Sequence, residues 1–197
     1  MIEEAVVQRV LTAALRTGGD FAEVFAEDRW SSSARLDDGK VEELTSGRDR
    51  GAGIRVVLAD TTGFAHTSDL TENGLLAAAE AAAAGARGGG GGVKEIALTR
   101  KEHSRPHDVA VLPEDVAKAR KAELLLKADD AARSAGGAIR QVGATYADSH
   151  RRILVANSDG LLTSDDQVRT RLMVSCVASG DTGMQTGYEA PGRTIGF

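Results

Sequence analysis

Apolar residues recur at helical spacing at Ile2, Val6, Val10 and Ala13, and Gly18-Gly19 stops the pattern. From residue 21 the rhythm changes to alternation, carrying Phe25 and Trp30 to about residue 35 and predicting a strand. Asp37-Asp38-Gly39-Lys40 then offers hairpin-turn chemistry. A further strand is expected over Gly53 to Leu58, and Ala59-Asp60-Thr61-Thr62-Gly63 turns it into another, Phe64 to Thr67. Thr71 is placed to cap the next helix, with Leu70 and Leu75 at hydrophobic-staple spacing and an alanine-rich run to Ala84 behind them. Pro113 is expected to open a third helix whose apolar face carries Ala117, Leu124, Ala128 and Ala131 and which Gly136-Gly137 ends. Strands are expected at Ile139 to Ser149, Arg152 to Ala156 and Val168 to Ser179. Ser158-Asp159-Gly160 and Gly180-Asp181-Thr182-Gly183 supply the turns, and a final strand ends on Ile195-Gly196-Phe197.

The pattern is written twice. Gly39 and Gly160, Arg48 and Arg169, Arg50 and Arg171, Val56 and Val177, and Asp60 and Asp181 all stand 121 residues apart. A fixed-period echo shows the unit from which a fold is built, and two units are too few for a solenoid. The expected class is therefore α+β, an internally duplicated helix plus antiparallel β-meander. Its repeat units cover about 1–87 and 113–197. The five glycines at 88–92 form a loop between them, and no Gly-Lys-Ser/Thr follows to make it a phosphate loop.

Composition removes several functions. The 197 residues carry a formal charge of −5 with acidic and basic residues interspersed, which gives no basic stripe for nucleic acid. No run approaches the length of a membrane span, and the acidic start Met1-Ile2-Glu3-Glu4 does not resemble a signal peptide. The lone Cys176 leaves no disulfide framework. A cytoplasmic, soluble protein is expected.

Candidate chemistry is sparse. Of the four histidines His66, His103, His107 and His150, none is followed by glutamate. His103 and His107 have the spacing of two ligands on one helix face, but Pro106 between them argues against a helix. Cys176 sits in an apolar strand pattern and is read as structural. The Asp37-Asp38 and Asp165-Asp166 pairs are assigned to turns, where aspartate bonds its own backbone. Arg48 and Arg50, like Arg169 and Arg171, alternate along matched strands; each pair is read as a solvated face, with a shared docking surface as the sharper alternative. No catalytic, cofactor-binding or metal-binding residue is assigned.

The stretches Leu36-Asp37-Asp38-Gly39-Lys40-Val41-Glu42-Glu43, Asp49-Arg50-Gly51-Ala52-Gly53-Ile54-Arg55-Val56 and Thr62-Gly63-Phe64-Ala65-His66-Thr67-Ser68-Asp69 resemble the N-terminal domain of the TldD/PmbA family, on the TldD side. The resemblance implies a cytosolic zinc metallopeptidase system that trims ribosomally made peptides. In it, a TldD-type subunit binds zinc through His-Glu-x-x-x-His and a later cysteine, and pairs with a PmbA-type subunit. That motif belongs to a C-terminal domain beyond Phe197, so none of its ligands maps onto this chain, Cys176 included. The implied role is the non-catalytic portion of a peptidase subunit, contributing substrate channel and subunit contacts, silent alone and without a cofactor of its own. The alternatives are a stand-alone module pairing with a full-length homologue, and a decayed remnant. Expected partners are a homologous subunit or a second copy as a dimer, and peptide in the full-length enzyme.

Overall fold

The computed structural model describes residues 1–86, 96–102 and 108–197. The glycine loop at 88–92 and the pair His103 and His107 lie outside the described residues.

The described chain runs α1 (Glu4–Leu15), β1 (Phe21–Asp37), β2 (Lys40–Leu58), β3 (Thr61–Thr67), α2 (Glu72–Gly85), β4 (Thr99–Lys101), α3 (Lys118–Ser134), β5 (Ile139–Asn157), β6 (Leu161–Gly180), β7 (Gly183–Glu189) and β8 (Gly192–Arg193). The class is α+β. Its eight-stranded sheet has the order β3-β2-β1-β5-β6-β4, with β7 and β8 also on β6. The pairings β2–β3, β6–β7 and β6–β8 are antiparallel, and β4 alone pairs with β6 in parallel. The order helix, long strand, long strand, short strand occurs twice. Gly39 and Gly160 both stand at positive φ, 82° and 95°, in the hairpin turns between the long strands.

Compactness follows a different division from the two contiguous repeats. The first unit comprises Met1–Arg29, Asp49–Ser104 and Arg151–Asp166; the second comprises Trp30–Arg48, Arg105–His150 and Gln167–Phe197. Each unit is thus completed by a hairpin tip contributed from the other repeat. In the first, α1 buries Val7, Val10, Leu11, Ala14 and Leu15 among Val24, Ile54, Val56 and Leu75, and Leu154, Ala156 and Leu162 arrive from the β5–β6 tip. In the second, the core joins Leu125, Ala144 and Tyr146 to Ala34 and Leu36 from the β1–β2 tip. Fully burying one such leucine is worth about 1.5–3 kcal/mol, so each tip matters to its host.

Local chemistry explains the ends. Thr71 Oγ1 accepts from Gly74 N at 3.3 Å and caps α2, while Leu70 packs against the cluster that holds Leu75. Asp38 and Gly39 both have positive φ, the two-residue turn that matches strand twist. At the second hairpin Asn157 Oδ1 instead accepts from Asp159 N and Leu161 N, at 3.1 and 3.0 Å. Arg9 grips Glu72 through two bonds, of 2.5 and 2.9 Å, and holds that carboxyl below its usual range.

Several sequence expectations are corrected. The chain beyond Gly39 forms one strand of 19 residues rather than separate strands, because β2 pairs with β1, and over residues 52–58 with β3 as well, so its glycines need not break it. The strands expected at 139–149 and 152–156 are likewise one, and β6 begins at Leu161 instead of Val168. Asp165-Asp166 therefore lies inside β6 rather than in a turn, with Asp165 Oδ1 accepting from Asp166 N. Pro113 starts only a 3₁₀ turn, Pro113–Asp115; Val116 and Ala117 are extended, and α3 begins at Lys118. The fully buried residues of α3 are Lys121, Leu125 and Asp129; Leu124 and Ala128 of the expected face pack beside them, while Ala117 precedes the helix. Nor does a full strand end on Phe197: β8 is two residues long, and Phe197 N donates to Val111 O. Among the described residues, no helix is long and apolar enough to cross a membrane.

Candidate functional site

The second unit holds a cleft of about 360 Å³ whose walls come from three segments. β1 brings Trp30, Ser31 and Ser32; Ser46, Gly47 and Arg48 stand opposite on β2; Glu114, Val116, Lys118 and Lys121 come from the approach to α3 and its first turn, and Asp148 from β5. Period-2 alternation sets the inward rows: Trp30 and Ser32 continue to Ala34 and Leu36, and Asp148 and His150 continue the buried positions Val142, Ala144 and Tyr146.

At its floor lies a buried polar network. Lys121 Nζ donates to Asp148 Oδ2 at 2.6 Å and to Ser32 Oγ at 2.7 Å, while Ser32 Oγ donates to the same carboxylate oxygen at 2.8 Å. Lys121 is 4% exposed and Asp148 8%. The Lys121 ammonium also lies 5.6 Å from the centre of the Tyr146 ring. Burial pushes the Tyr146 hydroxyl well above the usual phenol range, and the Asp148 charge adds to the shift.

Trp30 forms the wall above. The Arg48 guanidinium sits 4.1 Å from its ring centre, and the His150 ring is stacked with it at 5.8 Å. His150 Nδ1 in turn contacts Glu114. Serine beside lysine invites comparison with a hydrolytic dyad, but a lysine acting as base must be uncharged. Here the Lys121 amine is bound to a buried carboxylate as well as to the serine.

A second cleft of about 300 Å³ in this unit includes Arg35, Asp37, Gln141 and Ser175. Its polar groups are already paired, Gln141 with Asp37, Arg35 with Glu42 and Ser175 with Gly143 O.

Of the residues weighed from sequence, Arg48 and His150 meet at Trp30, and the others lie elsewhere. His66 lies on β3 against Phe64, and Cys176 is a free, half-buried thiol on β6 opposite Gly187. Asp38 pairs with Arg133 at 2.5 Å in the first hairpin turn. Arg50, Arg169 and Arg171 are exposed. Only Arg48 enters the cleft. Lys121 and Asp148 escaped notice, although helical spacing from Leu125 and alternation from Tyr146 point both inward. Among the described residues, no three of His, Cys, Asp or Glu form a group able to hold a metal.

Residues 22–86 match the family model of PmbA/TldA metallopeptidase domain 1, and residues 112–197 that of the PmbA/TldA metallopeptidase central domain. A metalloprotease of Methanothermobacter thermautotrophicus is 32% identical over 182 residues, 90% of this chain and 38% of that protein. A metalloprotease TldD homolog of Haemophilus influenzae is 26% identical over 179 residues, 90% of this chain and 37% of that protein. The crystal structure of TldE from Thermococcus kodakarensis aligns with TM-score 0.76 at 15% identity, over 96% of this chain and 43% of that one. The chain therefore spans less than two fifths of the length of these two curated relatives.

Proposed function

Because the chain belongs to the PmbA/TldD metallopeptidase family, we propose that it is the non-catalytic, N-terminal portion of a zinc metallopeptidase subunit. Its role in this reading is to form substrate-channel wall and subunit contacts during proteolysis and maturation of ribosomally made peptides in the cytoplasm. The family description implies a metal, and the described donors do not fit one: Glu114 and His150 make a pair, where a catalytic zinc takes three protein ligands. No hydrolytic step is assigned to them.

The observation that supports a contact-making role is β7. All seven of its residues are exposed, with Met184 at 70% and Tyr188 at 75%, and among the described residues it pairs only with β6. Its other edge leaves backbone groups open to an added strand, from a peptide or a subunit. The lone Cys176 suits a reducing compartment.

Purified residues 1–197 are expected neither to retain stoichiometric zinc after dialysis nor to cleave unfolded peptide. One tightly held zinc per chain, lost in His103→Ala or His107→Ala, would overturn the proposal. The same exposed edge favours a second reading, a stand-alone module that pairs with a homologue or with itself. Here the chain is expected to dimerise at micromolar concentration, with Met184→Lys/Tyr188→Lys shifting it to monomer. A stable pairing needs about 800 Å² per partner, within reach of one strand edge and its side chains. Light scattering that returns a monomeric mass for the unmodified chain removes self-pairing.

A further inference from the structure

We propose that the Trp30 cleft of the second unit is a receptor for a single carboxylate group carried on a peptide, either an acidic side chain or the chain terminus. It rests on the peptidase reading only for the carrier; the cavity's own chemistry selects the group.

The charges that line the cleft decide its preference. Three cations, Arg48, Lys118 and Lys121, face two carboxylates, Glu114 and Asp148. Asp148 neutralises Lys121 in a buried pair, and Glu114 is engaged by the His150 ring. Arg48 is spread over Trp30. Lys118 remains: among the described residues it has no ion-pair partner. It is also the first residue of a helix of 17 residues whose N-cap, Ala117, makes no side-chain cap and whose first turn carries no acid. Open N–H groups and the helix dipole add positive potential where Lys118 stands.

The cleft thus carries one surplus positive charge over a buried floor that is already neutral. Ser46 adds a hydroxyl to its wall, and the Trp30 ring offers apolar surface beside it. Its volume of about 360 Å³ lies at the small end of ligand pockets and suits one side chain or a terminal residue. A monoanion is balanced by Lys118 alone. A phosphate dianion would bring a second negative charge toward Glu114 and Asp148, and the cavity has no further surplus cation to meet it.

Trp30 is the single tryptophan of the chain, so intrinsic fluorescence reports on this cleft. The test titrates the purified chain with four probes: an acetylated neutral tetrapeptide with a free carboxyl terminus, its amide, the amide with one internal glutamate, and inorganic phosphate. A saturable change is expected with at least one carboxylate peptide, at least tenfold weaker with the neutral amide and with phosphate. The two carboxylate arms tell terminus from side chain. Lys118→Glu is exposed and should fold, which circular dichroism checks, and should weaken the response at least tenfold. Equal response to the neutral amide, tighter binding of phosphate, unchanged binding in Lys118→Glu or no response at all would each overturn the proposal. None of these outcomes bears on zinc or cleavage, which test the peptidase reading separately.

Discussion

Lys121→Met is expected to destabilise the chain by about 3–5 kcal/mol, because it removes one partner of a buried ion pair and strands the other. Asp148 would be left at 8% exposure without its lysine, with the Ser32 hydroxyl still donating to it. Most of this cost is the desolvation of an uncompensated carboxylate, not the lost attraction. Replacing both partners, as Lys121→Met with Asp148→Leu, should therefore recover most of the loss. Urea denaturation of the two variants measures the difference directly. An exposed pair provides the contrast. Arg16 and Glu80 meet at 3.3 Å with side chains 68% and 57% exposed, and Arg16→Ala should change stability by no more than about 1 kcal/mol. Equal effects at Lys121 and Arg16 would mean that the network is not isolated from water.

The second large effect is expected at Gly63. A Cβ there would lie 1.9 Å from Ala82 O and 2.6 Å from Ala86 N, both backbone atoms of α2 or its cap. A side chain can rotate away from a clash, but a helix backbone has to shift as a body, and α2 is held against β3 and α1. Gly63→Ala should cost about 3 kcal/mol, the upper part of the range for overpacking. For a chain of this size that lowers Tm by about 6–12 °C, read by thermal unfolding. Gly47 has nothing within 4 Å of its imagined Cβ, so Gly47→Ala should leave Tm within about 2 °C. A Gly63→Ala protein as stable as Gly47→Ala would show that α2 is free to move.

The same residues show what a sequence can carry. The Asp38-Gly39 and Gly160 turns and the Thr71 cap rest on chemistry within a few positions of each residue, and all were legible. Strand length was not, since Gly47, Gly51 and Gly53 weaken a strand locally while pairing with neighbouring strands holds β2 together. The α3 face was incomplete because only apolar residues were taken as the inward ones: Leu124 and Ala128 do pack on the core. Lys121 and Asp129 are buried as well, Lys121 against Asp148 and Asp129 with Arg133 at 3.1 Å, partners 27 and four residues distant. The cleft was invisible for the same reason, since Trp30, Lys118 and Asp148 meet only through tertiary structure.

The reciprocal hairpin tips also impose an order of events on the growing chain. Synthesis is vectorial, and two of the first unit's three segments have been made by Ser104, yet Leu154, Ala156 and Leu162 of the third belong to its core. About 60 further residues must be added before Asp166 completes it, which at typical translation rates takes roughly 3–12 s. Through that interval Ile54, Val56 and Leu75 lack part of their apolar cover, a window in which a nascent-chain chaperone has something to hold.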